Sequence, residues 1–485
     1  MYDVVIIGAG IIGSSIAREI SKYNLKVMVV EKEVDLAMGT TKANSAIVHA
    51  GFDAKPNTIK GKLNAKGNSM FEKLARDLDF PFLKNGSLVL CFDEADIGDL
   101  ELLKKQGEVN GVPNLQILSG EETRKLEPNV SESVVAALFA DTGGIVCPYE
   151  MNIAMAENAF SNGVEFRFGA EVVDIEKIHS GYRLLINGDK FIEGKTTIEG
   201  KVIINAAGLY SDVINNLVSD EKFIIKPRKG EYCLFDKVTK NLVTKTIFQL
   251  PTKLGKGVLV TPTVDGNILI GPNAVDTEDR DNLDTTKEGL EEIINKARLS
   301  IKNIPTNKII TSFSGLRART DKDDFIIAEV KNSPGFINVA GIESPGLTSA
   351  PAIAEMVASM VQGILKVTLK ENFISTRKGI VKFRELNKEE RKALLKINPE
   401  YGTIVCRCEV ITEAEIKDAI NRPLGATTID GVKRRTRAGG GRCQAGFCIS
   451  RVVDILCKEL KLELTEVTKC GGKSRLLVGK NKENL

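Results

Sequence analysis

The sequence predicts an α/β (α+β) chain in which a parallel-sheet domain is followed by a mixed-sheet domain and a small cysteine-rich helical unit. Three observations predict it. The chain opens as strand, glycine turn, helix and strand; residues 227–275 alternate short β-branched strands with Gly and Pro turns; and four of the nine cysteines form two close pairs late in the chain. At 485 residues the chain is longer than a single core usually supports, so several domains are expected.

Taken in order, Val4–Ile7 is a β-branched run, Gly8-Ala9-Gly10-Ile11-Ile12-Gly13 a turn, Ser14–Tyr23 helical in composition and Lys26–Glu31 a second strand. Residues 67–80 and 94–107 read as helices with strand material at Leu88–Cys91 between them, and Pro148–Ser161 as a helix with proline in its first turn. Phe166–Lys177 and Tyr182–Ile186 read as strands paired around Gly181, Lys201–Ala207 as a third central strand, Phe336–Val339 as a strand, Ala350–Val361 as a helix, and 364–400 as a lysine-rich helical arm. The expected domains are a discontinuous nucleotide-binding domain (1–85, 145–225, 310–375) and a substrate domain (86–144, 226–309). A linker or packing arm (376–400), a cysteine domain (401–460) and a C-terminal extension (461–485) follow.

A chain that is 42% hydrophobic and 27% charged is neither disordered nor fibrous. The net charge of +3 comes from interspersed residues, which argues against nucleic acid. The densest basic run, Lys433-Arg434-Arg435-Thr436-Arg437, precedes two of the paired cysteines, where it could offset an anionic thiolate cluster or attract an acidic electron-transfer partner. No apolar run reaches the ~18 residues of a membrane span. The N-terminus enters a strand at once, with no room for a signal segment, so cytoplasmic residence is expected, with peripheral contact at the inner face of a membrane left open.

The glycine turn follows a strand, opens a helix and has an acid, Glu31, closing the next strand. Gly8 would allow the tight turn, Gly10 the approach of a pyrophosphate, Gly13 close helix–sheet packing, and Glu31 would bind ribose hydroxyls. The amides of the helix N-terminus would face the phosphates. These features predict a Rossmann-like domain holding a dinucleotide. A second polar turn, Thr40-Thr41-Lys42-Ala43-Asn44-Ser45, is placed for the far side of the pyrophosphate, and the Gly341–Thr348 loop precedes another helix and could offer N–H groups to an anionic flavin, so FAD is favoured over a nicotinamide cofactor.

The stretches Asp3–Gly13, Thr40–Phe52, Asn205–Ser211, Phe313–Arg317 and Ala340–Thr348 make the chain, as far as the lysine-rich arm, resemble the D-amino-acid-oxidase-like family of FAD enzymes. Within it, the chain is similar to the group of glycerol-3-phosphate oxidases and dehydrogenases and L-2-hydroxyglutarate dehydrogenases. The resemblance implies FAD contacts from Gly8, Gly10, Ile12, Gly13, Glu31, Lys32, Thr40, Thr41, Asn44, Ser45, Val173, Ala207, Gly208, Gly315, Gly341, Gly346, Leu347 and Thr348. It also implies that His49 faces the flavin and takes a hydroxyl proton as hydride leaves for flavin N5. The other histidine, His179, reads as a surface turn residue. Arg317 resembles the family arginine that meets a carboxylate or phosphate, Lys256 a lysine near the substrate phosphate and Ser344 a hydroxyl donor, with Lys253 and Arg319 as rivals. The expected reaction oxidises sn-glycerol 3-phosphate to dihydroxyacetone phosphate. L-2-hydroxyglutarate or another 2-hydroxy acid is the chief alternative substrate, and an amino or imino acid the third.

The late pattern is Cys406-Arg407-Cys408 followed by Cys443-Gln444-Ala445-Gly446-Phe447-Cys448, with glycines 439–441 able to wrap close to the sulfurs. Two thiolate pairs suit either Zn2+ or a two-iron cluster. The segment resembles the BFD-like 2Fe–2S domain fused to some dehydrogenases, including its four-residue gap, which makes Cys406, Cys408, Cys443 and Cys448 the expected ligands and zinc the alternative. Cys91, Cys147, Cys233, Cys457 and Cys470 complete no such pattern. A one-electron relay suits a dehydrogenase more than an oxidase, with electrons passing to an acceptor protein, a second flavoprotein subunit or a quinone system. A non-enzymatic iron–sulfur redox sensor would not need His49 with Arg317.

Overall fold

The computed structural model describes residues 1–188, 196–250, 257–479 and 481–482. The strand Tyr2–Ile7 lies at the centre of an eight-stranded sheet, parallel to Val27–Glu31 on one side and Thr196–Asn205 on the other. Glu165–Phe168 extends the parallel run beyond Val27–Glu31, and Phe336–Ala340 joins the far half of Thr196–Asn205. Val4, Val5 and Ile6 are wholly buried, as expected of a parallel strand covered on both faces. The helices Ile11–Ile20, Ile59–Leu78, Pro148–Ser161 and Gly346–Ile364 pack on one another over one face, through Ile16, Ala17, Ile20, Ile153, Ala156, Ile353 and Val357. Ile59–Leu78 begins well before the expected residue 67, because Thr58 accepts from the Gly61 amide and Asp324 from the amides of Ile59 and Lys60, capping its first turn. His179 is exposed in the turn of the Glu171–Ile178/Gly181–Asn187 hairpin.

A nine-stranded mixed sheet forms the second layer, with strands drawn from Ser87–Ala140 and Ile225–Asp276. It also takes Ile309–Thr320, which the sequence reading had divided at residue 310 and given to the first domain. That strand pairs antiparallel along the length of Ile225–Phe235, with Gly230 opposite Gly315 and Arg228 opposite Arg317. Its first half carries no alternation that marks it as a partner of a strand some 80 residues away, so only pairing reveals where it belongs.

The arm also departs from expectation. Only Lys388–Ile397, capped by Asn387, is α-helical, with a short 3-10 turn at Phe383–Glu385 before it, whereas 365–382 crosses the first domain without regular secondary structure. A polar row on the Pro148–Ser161 helix holds it there: Asn158 donates to the carbonyls of Ile374 and Thr376, and Arg377 pairs with Glu157 at 2.5 Å. Backbone capture by asparagine competes with helix formation.

The cysteine unit combines a short hairpin, Ile404–Cys406 with Ile411–Thr412, and the helices Glu413–Asn421, Ile429–Thr436 and Ile449–Leu460 around its own core. The C-terminal extension belongs to this unit, since Val467 is buried in that core and the carbonyls of Thr468 and Lys469 accept from the amides of Ile429 and Asp430. The basic run is turned inward, contrary to the expectation that it faces a cluster or a partner. Arg434 and Arg435 bind Asp35 of the first domain at 2.6 and 2.7 Å, and Arg437 binds Asp265 of the second domain and Glu409, each at 2.8 Å. Among the described residues no helix is long and apolar enough to cross a membrane.

Candidate active site and cluster site

The glycine turn is fixed by close approaches. Gly8 has φ +105°, and a Cβ on it would lie 2.5 Å from the Ala206 carbonyl oxygen; one on Gly13 would lie 1.9 Å from the Gly8 oxygen. These two glycines therefore serve packing. At Gly10 a Cβ would meet only the Thr41 hydroxyl, at 3.3 Å, so the space before the helix N-terminus is open on the side where a pyrophosphate would lie. Glu31 accepts from the amides of Ala9 and Glu33 at 2.7 and 2.9 Å. Burial pushes its carboxyl up and these amides pull it back, leaving lone pairs for ribose hydroxyls.

The second polar turn is strapped between the two sheets. Thr40 donates to the Leu316 carbonyl at 2.7 Å, Thr41 accepts from the Ile11 amide at 3.0 Å, and Asn44 holds the carbonyls of both threonines. A Cβ on Gly315 would lie 1.9 Å from the Ala43 oxygen, so only glycine allows this strand so close to the turn.

A cleft of about 420 Å³ follows from these features. Of the residues expected to hold FAD, Gly8, Gly10, Ile12, Glu31, Lys32, Thr40, Thr41, Asn44, Ser45, Ala207, Gly208, Gly315, Gly346 and Leu347 line it, as do His49, Arg317 and Ser344. The structure keeps four others out of the lining. Gly13 is closed by packing, and Val173 sits at an irregularity in the strand between Val172 and Asp174, partly exposed, while Val172 lines the cleft. Gly341 packs on Thr320, and Thr348 is buried behind the wall, where its hydroxyl accepts from the His49 amide at 2.9 Å and donates to the Ile47 carbonyl. Lys256 and its rival Lys253 lie outside the described residues.

At one end of the cleft, His49 Nε2 is 3.3 Å from the Ser344 hydroxyl, and its ring stacks on Phe248 at 5.9 Å. The His49 carbonyl accepts from Asn64 and Asn68 at 3.0 and 3.1 Å, so the helices Ile59–Leu78 and Gly346–Ile364 both fix its backbone. Arg317 donates to the Asn273 carbonyl at 3.1 Å. A Cβ on Gly230 would lie 2.8 Å from the Arg317 guanidinium, so Gly230 makes the room that Arg317 occupies. Arg319, on the same face of the strand, does not line the cleft. Sequence reasoning missed Tyr232, which stacks on Phe313 at 4.8 Å and brings its hydroxyl 3.2 Å from Ser45, and also Arg280 and Tyr210, which line the cleft. No local signal marked Tyr232, because its place depends on the pairing of Ile225–Phe235 with Ile309–Thr320.

In the cysteine unit the sulfurs come in pairs. Cys408 and Cys443 are 3.5 Å apart. Cys448 donates to Cys406, which holds the Cys406 thiol down to about 6 and pushes that of Cys448 far up. A Cβ on Gly441 would lie 2.6 Å from the Cys408 Cβ, so this glycine lets the two cysteine loops close. The four cysteines come as two thiol pairs, a donor set that fits a two-iron cluster.

Comparison with known proteins agrees with both sites. Residues 3–360 match the family model of the FAD dependent oxidoreductases and residues 404–458 that of the BFD-like [2Fe-2S] binding domain. The chain is 55% identical to a glycerol 3-phosphate dehydrogenase of Caloramator mitchellensis, with 100% of both chains covered. It is 35% identical to a glycerol 3-phosphate oxidase of Mycoplasma genitalium, over 76% of this chain and 97% of the relative. The solved structure of dithionite-reduced L-alpha-glycerophosphate oxidase from Mycoplasma pneumoniae with FAD bound superposes with a TM-score of 0.72 at 34% identity, covering 77% of this chain and 98% of the other. The chain thus belongs to the FAD dependent oxidoreductase family and carries a BFD-like [2Fe-2S] binding domain behind its catalytic domain.

Proposed function

We propose that this chain is an FAD-dependent dehydrogenase that oxidises sn-glycerol 3-phosphate to dihydroxyacetone phosphate and passes the electrons through its cysteine domain to a separate acceptor. The observation that carries the reading is the placement of His49 beside Ser344 in the same cleft as the Arg317 cation. The choice of dehydrogenase is supported by the relative that spans the whole chain, cysteine domain included, which is named a dehydrogenase.

His49 Nε2 accepts the hydroxyl proton, for which a neutral imidazole is suited near pH 7. Ser344 hydrogen-bonds that nitrogen and, as substrate enters, the reacting oxygen. Thr348, Asn64 and Asn68 hold the histidine backbone so that the ring approaches the alcohol in one orientation. The planar fork of Arg317 holds the phosphate, with its direction set by the Asn273 carbonyl and its room by Gly230. When bound, FAD supplies the acceptor for the hydride leaving the alcohol carbon, and the [2Fe–2S] cluster a one-electron store.

The test is anaerobic addition of glycerol 3-phosphate or L-2-hydroxyglutarate, separately, to the FAD-loaded protein. Bleaching of the flavin band by glycerol 3-phosphate alone is expected. Bleaching by the hydroxy acid alone would reassign Arg317 to a carboxylate, and bleaching by neither would move the substrate class to amino or imino acids.

A further inference from the structure

Phe447 lies next to Cys448 in the second cysteine loop and is 86% exposed, the most exposed phenylalanine among the described residues. A single exposed ring carries no argument by itself, but one grouped with other exposed apolar side chains does. The backbone directs it outward, since Gln444 and Ala445 both take positive φ, 47° and 72°. Opposite, Cys408 is exposed, is 3.5 Å from Cys443 and is followed closely by Val410, which is 37% exposed. A third apolar side chain, Val238 at 61%, comes from the second domain, on a short turn whose Asp236 and Lys237 bind Arg442 and Glu409 of the cysteine unit.

Between residues 401 and 451 the exposed charged side chains are Arg407, Arg442 and Arg451, and the first exposed acid beyond them is Asp454, about one turn past Arg451 on the helix Ile449–Leu460. Nearby acids are already engaged: Glu409 is buried against Arg437, Arg384 and Lys237, and Asp236 is paired with Arg442. Arg407 and Arg451 have no carboxylate partner among the described residues, whereas the more conspicuous basic run at 433–437 is consumed by Asp35, Asp265 and Glu409. Arg407 and Arg451 thus leave uncompensated positive charge next to the exposed Cys408 and just after Cys448 in the chain.

We propose that this face, with Phe447, Val410 and Val238 inside an arginine rim, docks a small acidic protein that carries one electron and takes it from the cluster. The proposal rests on the dehydrogenase reading above. A small apolar centre within a charged rim gives fast, steered encounter and fast release, as a carrier that must leave after one electron requires. The balance per turnover is one alcohol oxidised to a ketone, two protons released to solvent and two carrier molecules each reduced by one electron.

The experiment uses the holoenzyme and oxidised rubredoxin, a small acidic one-electron iron protein, with basic cytochrome c as the opposite-charge control. Rubredoxin reduction should slow at least tenfold as ionic strength rises from ~0.01 to ~1 M, where the screening length falls from about 30 to about 3 Å. Replacing both Arg407→Glu and Arg451→Glu should slow it by a similar factor while speeding reduction of cytochrome c, and Phe447→Ser should reduce the broadening of isotope-labelled rubredoxin amide signals on complex formation. Iron content, the electron-spin signal of the reduced cluster and flavin bleaching by substrate should match the wild type in each variant. Running the reaction with dithionite-reduced enzyme separates the outcomes, because it tests docking even if glycerol 3-phosphate is not the substrate. Salt-insensitive rubredoxin reduction, or variants that reduce it at the wild-type rate, would overturn the proposal. So would arginine-dependent sedimentation with phosphatidylglycerol vesicles, which would make this a membrane face, or a dimer abolished by Phe447→Ser, which would make it a self-interface.

Discussion

His49 takes its place from its backbone, while its ring is left facing the cleft. Its amide is held by Thr348 and its carbonyl by Asn64 and Asn68, so removing the imidazole leaves these bonds intact. His49→Ala is therefore expected to purify with a full complement of FAD and to reduce it about 10²–10⁴-fold more slowly with substrate, the usual weight of a positioned base; rapid-mixing absorbance measures it, and wild-type bleaching would remove His49 from the chemistry. Gly230→Ala places a methyl 2.7 Å from Pro272 Cβ and 2.8 Å from the Arg317 guanidinium, crowding Arg317 and the loop that carries its Asn273 partner without removing the charge. Displacing one charge-assisted contact should raise KM for substrate by about 10-fold or more with little effect on FAD content; an unchanged KM would detach Arg317 from the substrate. His49 was a candidate in the sequence through the resemblance carried by Thr40–Phe52, with the only other histidine, His179, in an exposed turn. Gly230 and Tyr232 were not, since their importance depends on the register that sets Gly230 against Gly315 and puts Arg317 on its diagonal.

For the elements, the opening strand, turn and helix could be read directly because every signal is local: buried β-branched residues, three spaced glycines and an acid closing the next strand. Gly13→Ala tests how tightly that unit is built. Its Cβ would lie 1.9 Å from the Gly8 oxygen, so the helix must move away from the strand and the cradle with it. The variant is expected to lose most of its FAD, read as the flavin-to-protein absorbance ratio; a wild-type ratio and melting temperature would show that Gly13 is not needed for packing. Elements that depend on distant partners were misplaced. Ile309–Thr320 is drawn into the second sheet by Ile225–Phe235, and the 365–382 segment is held against the first domain by Asn158 and Glu157, neither of which local composition discloses. Val172 rather than Val173 lines the cleft because the strand is irregular at Val173, which local composition does not mark.

Across the whole molecule, the cysteine unit is clasped to both larger domains by buried ion pairs. Asp35 is pushed up by burial, yet Arg435 and Arg434 hold it down to about 2. A carboxyl lowered on folding gives stability that is complete above its ordinary range, near 4, and is lost as pH falls towards its folded value. Docking of the cysteine unit should accordingly weaken between about pH 4 and pH 2. At neutral pH, Asp35→Asn leaves two buried guanidinium groups without their carboxylate, a loss of about 3–5 kcal/mol. It should expose the 365–382 arm to limited proteolysis while iron content is retained; equal protease resistance would contradict the clasp. The basic run was visible in the sequence, but its partner was not, because Asp35 lies 400 positions from Arg435. This union of domains matters only if electrons cross it. Mixing the oxidised holoenzyme anaerobically with glycerol 3-phosphate, and freezing samples along the flavin trace for electron-spin spectroscopy, should show the flavin band bleach first and the reduced-cluster signal follow within the same turnover. A flavin that bleaches while the cluster stays oxidised, or one that glycerol 3-phosphate does not bleach at all, would contradict a dehydrogenase that passes electrons from this cleft to its cysteine domain.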